Sequence, residues 1–418
     1  MRRLLPALLL STALAAPALA ATPAEVATHY ADIALAGYGD SLSTAQALQQ
    51  AVAALIATPS DETLQAARTA WLAARIPYQQ TEAYRFGNPI VDDWEGRVNS
   101  WPLDEGLIDY VAADSGLNEE NTLATLNVIS TPNFILSGVE IDASTITPAF
   151  LSGTLHEADG IEANVATGYH AIEFLLWGQD LNGTNPGAGA RPFTDYLQGD
   201  GCTGGNCDRR AAYLQAATDL LVTDLEEMVA NWAETGPARA AVTADPQAGI
   251  LAALTGMGSL SYGELAGQRI RLGLMLNDPE EEHDCFSDNT HNSHYYDGVG
   301  IRNVYLGTYT RIDGSTLSGP SLSDLVAAAA PGVDAQLRAE LDASVAALGV
   351  MKEAGDAGKT YDTLIAPGNA EGESIVMGAV NALVTQTASI DRAVTALGLT
   401  TVEFEGSDSL DNPNAVFQ

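Results

Sequence analysis

In GYHAIEFLLWGQD, residues 168–180, a histidine and a carboxylate stand three positions apart, as His170 and Glu173. On a helix this spacing puts imidazole and carboxylate on one face. Neutral imidazole with carboxylate oxygen is a ligand pair for iron, zinc, manganese or copper, and helical bundles build metal sites from Glu/His pairs at this step. A buried pair that merely satisfies itself has the same spacing, so a site needs donors from elsewhere. Gly168 gives room for close packing beside the pair.

Further candidates lie in three segments. Trp71, Arg75, Tyr78, Glu82 and Arg85 step by four and three along one stripe, mixing charge with aromatic rings. That is the composition of a ring-lined polar site, or of a salt-bridge ladder. Asp104 and Glu105 follow Trp101-Pro102 in VNSWPLDEGLIDY. The run NDPEEEHDCFSDNTHNSHYYDG adds Glu280 to Glu282, His283, Asp284, Asp288, His291 and His294, which could bind a cation weakly or simply be solvated. There is no HExxH, HxxEH, GxSxG or Walker loop, so the common zinc-peptidase helix, the nucleophile elbow and the phosphate cradle are absent.

The elements that must carry these residues read as helices. Leu48, Val52, Leu55 and Ile56 mark one apolar stripe. Ser60-Asp61-Glu62 caps a helix running through Leu64, Trp71 and Tyr78, with Pro77 expected to kink or end it. Tyr213 to Trp232 is amphipathic, and Gly256, Gly258, Gly263, Gly267 and Gly273 stud a further apolar segment where helices could approach closely. Later helices are expected at 321–329, 334–351 and 371–397, and a long ordered loop at 283–320. Strand-like alternation is scarce, which favours an all-α bundle architecture. The Gly/Pro/Asn-rich stretch 182–208 divides an N-terminal domain, 21–181, from a C-terminal one, 209–402, and the polar tail 403–418 is expected to be loose. Within the divide, Cys202 and Cys207 in CTGGNC are candidates for a small-loop disulfide. Cys285 reads as a buried small hydrophobe.

Composition narrows the partners. Of 418 residues, 54 are acidic and 18 are Lys or Arg, a net charge of −36. Arg2 and Arg3, the apolar run Leu4 to Leu10 and Ala18-Leu19-Ala20 read as a cleaved Sec-type signal peptide, residues 1–20. Its removal leaves 16 basic residues against 54 acids, a net of −38. Such a surface repels nucleic acid and anionic headgroups and attracts cations. No Cys follows the cleavage site, so a lipoprotein anchor is not expected, and no later stretch is apolar enough to span a membrane. The expected location is the periplasm or the exterior, with peripheral outer-membrane association left open.

GYHAIEFLLWGQD resembles the GxHxxE signature of the imelysin-like family. TAWLAARIPYQQTEAYRFGNPI, VNSWPLDEGLIDY and GELAGQRIRLGLMLNDPEEEHDCFSDNTHNSHYYDGVGIRNVYLGTY are similar to its other blocks, in order, so the likeness spans most of 25–400 and is nearest the iron-regulated branch. The resemblance implies a two-domain all-α fold, two bundle-like halves packed around an interdomain site. It implies His170, Glu173, Glu82 and Asp104 as metal ligands. The lining would be Gly168, Arg75, Tyr78, Arg85, His283 and Asp288, with Glu264 and Arg269 from the GELAGQRIR block. Arg85 stands where some iron-uptake relatives have a second acid. The cofactor implied is a metal ion, iron before zinc, and the partners are a metal ion or chelate and envelope iron-uptake components. The family's metallopeptidase label offers an alternative in which Glu173 is ligand or base. A third reading is a cleft that binds a peptide, glycan or chelate without metal.

Overall fold

The first two helices begin at capping boxes, which satisfy amide donors that a helix start leaves orphaned. Thr22 and Glu25 cap α1 (Pro23–Ala57), and Ser60 and Thr63 cap α2 (Asp61–Gln79). Pro77 lies in the last turn of α2, and the helix ends two residues later. The computed structural model describes residues 21–113, 121–400 and 402–417. The signal-peptide reading, residues 1–20, lies outside them.

After α2 come α3 (Pro89–Asn99), the single turn α4 (Glu105–Ile108), a hairpin of β1 (Asn133–Leu136) and β2 (Val139–Asp142), and the turn α5 (Pro148–Phe150). Then follow α6 (Gly168–Trp177), α7 (Cys207–Trp232), α8 (Pro237–Thr243) and α9 (Pro246–Ser259), which runs on as a π-helix, Leu260–Leu272, into α10 (Gly273–Leu276). The chain closes with α11 (Thr290–Leu306), a second hairpin of β3 (Thr308–Thr310) and β4 (Thr316–Ser318), α12 (Leu322–Ala329), α13 (Pro331–Asp356), α14 (Tyr361–Leu364), α15 (Ala370–Ala396) and α16 (Asp408–Asp411). Of the described residues 66% are helical, with two small two-stranded sheets among them, an all-α fold of two packed halves. One half is built on α1, α2, α6 and α7, the other on α11, α13, α15 and the π-helix, and α11 packs back on α2. Entering α7, Cys202 and Cys207 form a disulfide, with Cα atoms 5.9 Å apart.

Two expectations are overturned. The stretch 283–320 is not all loop, because 290–306 is helical. Its periodicity was masked because α11 buries polar residues, His291, Ser293, His294 and Asp297, beside Ile301, Val304 and Tyr305. Nor is the tail loose. A Cβ on Gly258 would lie 2.2 Å from the Phe404 ring and one on Gly263 2.4 Å from the Glu405 carbonyl oxygen, so the studded glycines admit the tail. Ser409 Oγ then donates to the Gly267 carbonyl at 2.8 Å.

Candidate metal centre

Helix α6 is seated by its first residue. Gly168 has φ +79°, and a Cβ there would stand 2.4 Å from the Val98 carbonyl oxygen at the end of α3. Thr167 Oγ1 donates to the Arg97 carbonyl at 2.7 Å and Trp71 Nε1 to the Tyr169 carbonyl at 2.9 Å, so α2 and α3 together fix where α6 starts. This aims His170 and Glu173 into the interior, with His170 Nδ1 3.1 Å from Glu173 Oε2. Glu173 Oε1 accepts from the Ser287 amide at 2.9 Å and its hydroxyl at 2.7 Å.

The loop between α10 and α11 brings His283 and Asp284 to the same point. One donor atom from each of His170, His283 and Asp284 lies within 4.8 Å of the others. The two imidazoles meet edge to face with centroids 4.8 Å apart. All three residues and Glu173 are at most 1% exposed. Asp284 Oδ1 accepts from Arg75 Nη2 at 2.9 Å, and Oδ2 from Asn289 and Ser293. Burial pushes Asp284 upward, but Arg75, His170 and these donors carry it below the usual carboxylate range. Burial and Arg75 lower His170 to about 3, and burial with Arg269 holds His283 well below its usual value, so both rings are neutral and ready as ligands. Burial and the Asp284 charge raise Glu173 well above normal. Among the described residues, buried His170 Nε2 has no hydrogen-bond partner. Two neutral imidazoles and one carboxylate are the donor set of a non-haem ferrous site, so these residues fit the metal that the sequence implies.

The other sequence candidates sit around this point in distinct settings. Tyr78 packs on Tyr169 with centroids 4.8 Å apart, beneath the Arg75 guanidinium. Glu82 is held by Arg269 at 2.7 Å, and Arg269 also meets Glu264 at 2.9 Å and Asp297 at 3.2 Å. Arg85 bonds Asp92 at 2.8 Å and approaches Glu95 and Glu264, each at 3.6 Å. Gln79, with its amide turned to suit its neighbours, links the two networks by donating to Asp297 and accepting from Arg75 and Ser293. A cleft of about 870 Å³, lined among others by Arg85, Trp101, Glu264 and Arg269, reaches His283. Asp104 precedes α4, accepts from Asn121 and lines a separate pocket of about 380 Å³ with Glu105, Glu280 and Cys285. Asp288 faces Asp180 and Asp362. The structure thus joins His170 to His283 and Asp284, and places the carboxylates of Glu82 and Asp104 with other partners. Asp284 stood in the sequence only as one acid of a run that could bind a cation weakly, not as a ligand beside His170. Its signal was an acid wedged between His283 and the apolar pair Cys285-Phe286.

A two-halved helical protein with a buried His/carboxylate centre beside a cleft is the class that these features define. The Imelysin model, of peptidase family M75, matches residues 34–390, and the chain belongs to the imelysin family. Iron-regulated protein A of Synechococcus elongatus is 31% identical over 81 residues, 19% of this chain and 23% of that protein. The match therefore spans under a quarter of that relative's length. Two crystal structures share the fold. One, presented as an iron-regulated protein A precursor from Parabacteroides distasonis ATCC 8503, has a TM-score of 0.65 and 18% identity, covering 91% of this chain and 97% of that one. The other, an imelysin-like protein from Psychrobacter arcticum 273-4, has a TM-score of 0.58 and 16% identity, covering 92% and 99%. Among the described residues no helix is long and apolar enough to cross a membrane.

Proposed function

We propose that this protein is exported and binds iron in the service of iron acquisition, with His170, His283 and Asp284 as ligands and Glu173 orienting His170. The observation that carries the reading is the meeting of two neutral imidazoles and an ionised carboxylate in a buried site where, among the described residues, His170 Nε2 has no partner. A ligating histidine characteristically shares its other nitrogen with a carboxylate, and Glu173 is placed for that part. Similarity to an iron-regulated protein supports iron over zinc. In this reading Glu82 acts through Arg269, setting the charge of the cleft wall, and Asp104 belongs to the neighbouring pocket. A peptidase would need a base free to work on a bound water. Glu173, the residue for that task, is engaged by Ser287 and His170.

The test is metal analysis of the mature protein after anaerobic loading with ferrous iron and desalting. Wild type is expected to hold one iron per chain, and His170→Ala and His283→Ala to hold a tenth or less, on the order of the loss of a primary ligand. Equal, negligible iron in all three would end the proposal.

A further inference from the structure

A second group of acids lies where the two halves meet through the loop after α10. An oxygen of each of Asp180, Asp288 and Asp362 lies within 4.8 Å of those of the other two. Asp362 is fully buried, and among the described residues neither of its carboxylate oxygens has a well-aligned hydrogen bond, although the Thr360 hydroxyl and the Thr363 amide lie close enough to act on it. Asp288, 8% exposed, leaves Oδ1 unpartnered. Thr360 and the Thr363 amide draw the Asp362 pKa down, but burial prevails and raises it. Burial, Asp362 and Asp180 push Asp288 up to about 7. Glu282 is 1% exposed, and among the described residues its Oε1 is likewise unpartnered.

Several other buried carboxylates among the described residues come with an arginine. Asp109 has Arg191 and Arg210, Glu82 and Asp297 have Arg269, and Asp40 has Arg311. Among the described residues no Lys, Arg or His pairs with Asp180, Asp288 or Asp362. Unpaired buried charge of one sign is costly, and a cation is the usual remedy.

We infer that Asp180, Asp288 and Asp362 form a binding site for a hard divalent cation of the calcium class. Calcium binds oxygens at about 2.3–2.6 Å, so two oxygens on one ion stand at most about 5 Å apart, which the observed spacing meets. Calcium accepts irregular shells completed by water, whereas magnesium demands a near-ideal octahedron. The cluster has no imidazole or thiolate to favour a softer metal. Half-buried Asp180 leaves water an entry. Asp180 follows α6, Asp362 lies in α14, and Asp288 is four residues beyond Asp284. The ion therefore ties the halves together and steadies the loop that carries His283 and Asp284.

The test uses the whole mature chain, stripped with chelator and titrated with calcium chloride by calorimetry and by thermal melting. One ion is expected per chain, with Kd of about 10⁻⁴–10⁻³ M, as for extracellular calcium modules. The melting temperature should rise by about 2 °C at a tenfold excess over Kd. Asp362→Asn and Asp288→Asn should each weaken binding about tenfold or more. In chelator they should melt no lower than wild type, since each removes repulsion, and this separates lost binding from lost folding. His170→Ala should bind calcium as wild type does, which separates this site from the iron centre. No uptake by wild type up to about 10 mM, unchanged affinity in both Asn variants, or loss of calcium in His170→Ala would each overturn the inference.

Discussion

His170 Nδ1 faces Glu173 Oε2 at 3.1 Å along one face of α6, while Glu173 Oε1 is held from the far side by Ser287. The carboxyl is thus a strut between the helix and the loop that delivers His283 and Asp284. Glu173→Ala should lower ferrous-iron affinity by about 10–100-fold, the usual effect of losing a carboxylate behind a ligating histidine. Competition against a chelating dye reads this directly, and an unchanged affinity would show that Glu173 does not position His170.

Arg75 and Asp284 are both buried, and their 2.9 Å ion pair is the main counterweight to charge in the centre. Taking away one member strands the other, so Arg75→Ala should destabilise the metal-free protein by about 3–5 kcal/mol in urea unfolding. Adding Asp284→Asn should recover a good part of that loss, because the stranded charge goes with it. If the double variant is simply as unstable as the sum of the two singles, the pair is not coupled and Arg75 acts through packing on Tyr78 and Tyr169.

Much of the fold is legible in the sequence because α1, α2, α7 and α13 bury apolar residues at helical spacing. Helix α11 is not, since its inner face is written in His, Ser and Asp, residues that a periodicity reading assigns to solvent. The site divides along the same line. His170 and Glu173 are legible as a pair because one helix suffices to bring them together. His283 and Asp284 are legible only as members of an acidic run that could bind a cation, not as partners of His170. Their approach to His170 depends on Arg75, Ser293 and Asn289 drawing a distant loop inward, an arrangement with no sequence period. Glu82 is the converse case: it reads as continuing the α2 stripe, but α2 ends at Gln79 and Glu82 opens a 3-10 turn, where Arg269 packs against it from 187 residues away.

Gly168 joins chain geometry to the centre. Any side chain there meets a left-handed backbone and the Val98 carbonyl at once. Gly168→Ala should cost about 2–4 kcal/mol of stability by urea denaturation, combining backbone strain with overpacking. It should also lower iron occupancy, since α6 must shift away from α3. A variant with wild-type stability and occupancy would mean that α6 is not seated by this contact.

The pH response of the fold has a carboxyl to test it. Burial and the neighbouring Glu280 push Glu105 up to about 7. Folding thus raises this group's proton affinity. Its stabilising effect is complete below its unfolded value, near 4.5, and is lost as pH rises through about 7. Glu105 should therefore make the protein melt lower as pH climbs from 5 to 7.5, by about 1–2 °C per unit for this one group. Several histidines act in the opposite sense. Burial lowers His294 to about 3, and that effect destabilises the fold as pH falls below about 6.5. The informative quantity is hence the difference between wild type and Glu105→Gln across that range. Gln keeps the neutral shape and cannot ionise, so the variant should match wild type near pH 5 and melt higher at pH 7.5. Parallel curves, with no divergence above pH 6, would mean that Glu105 is ionised in the folded protein and that its pocket is wetter than the structure indicates.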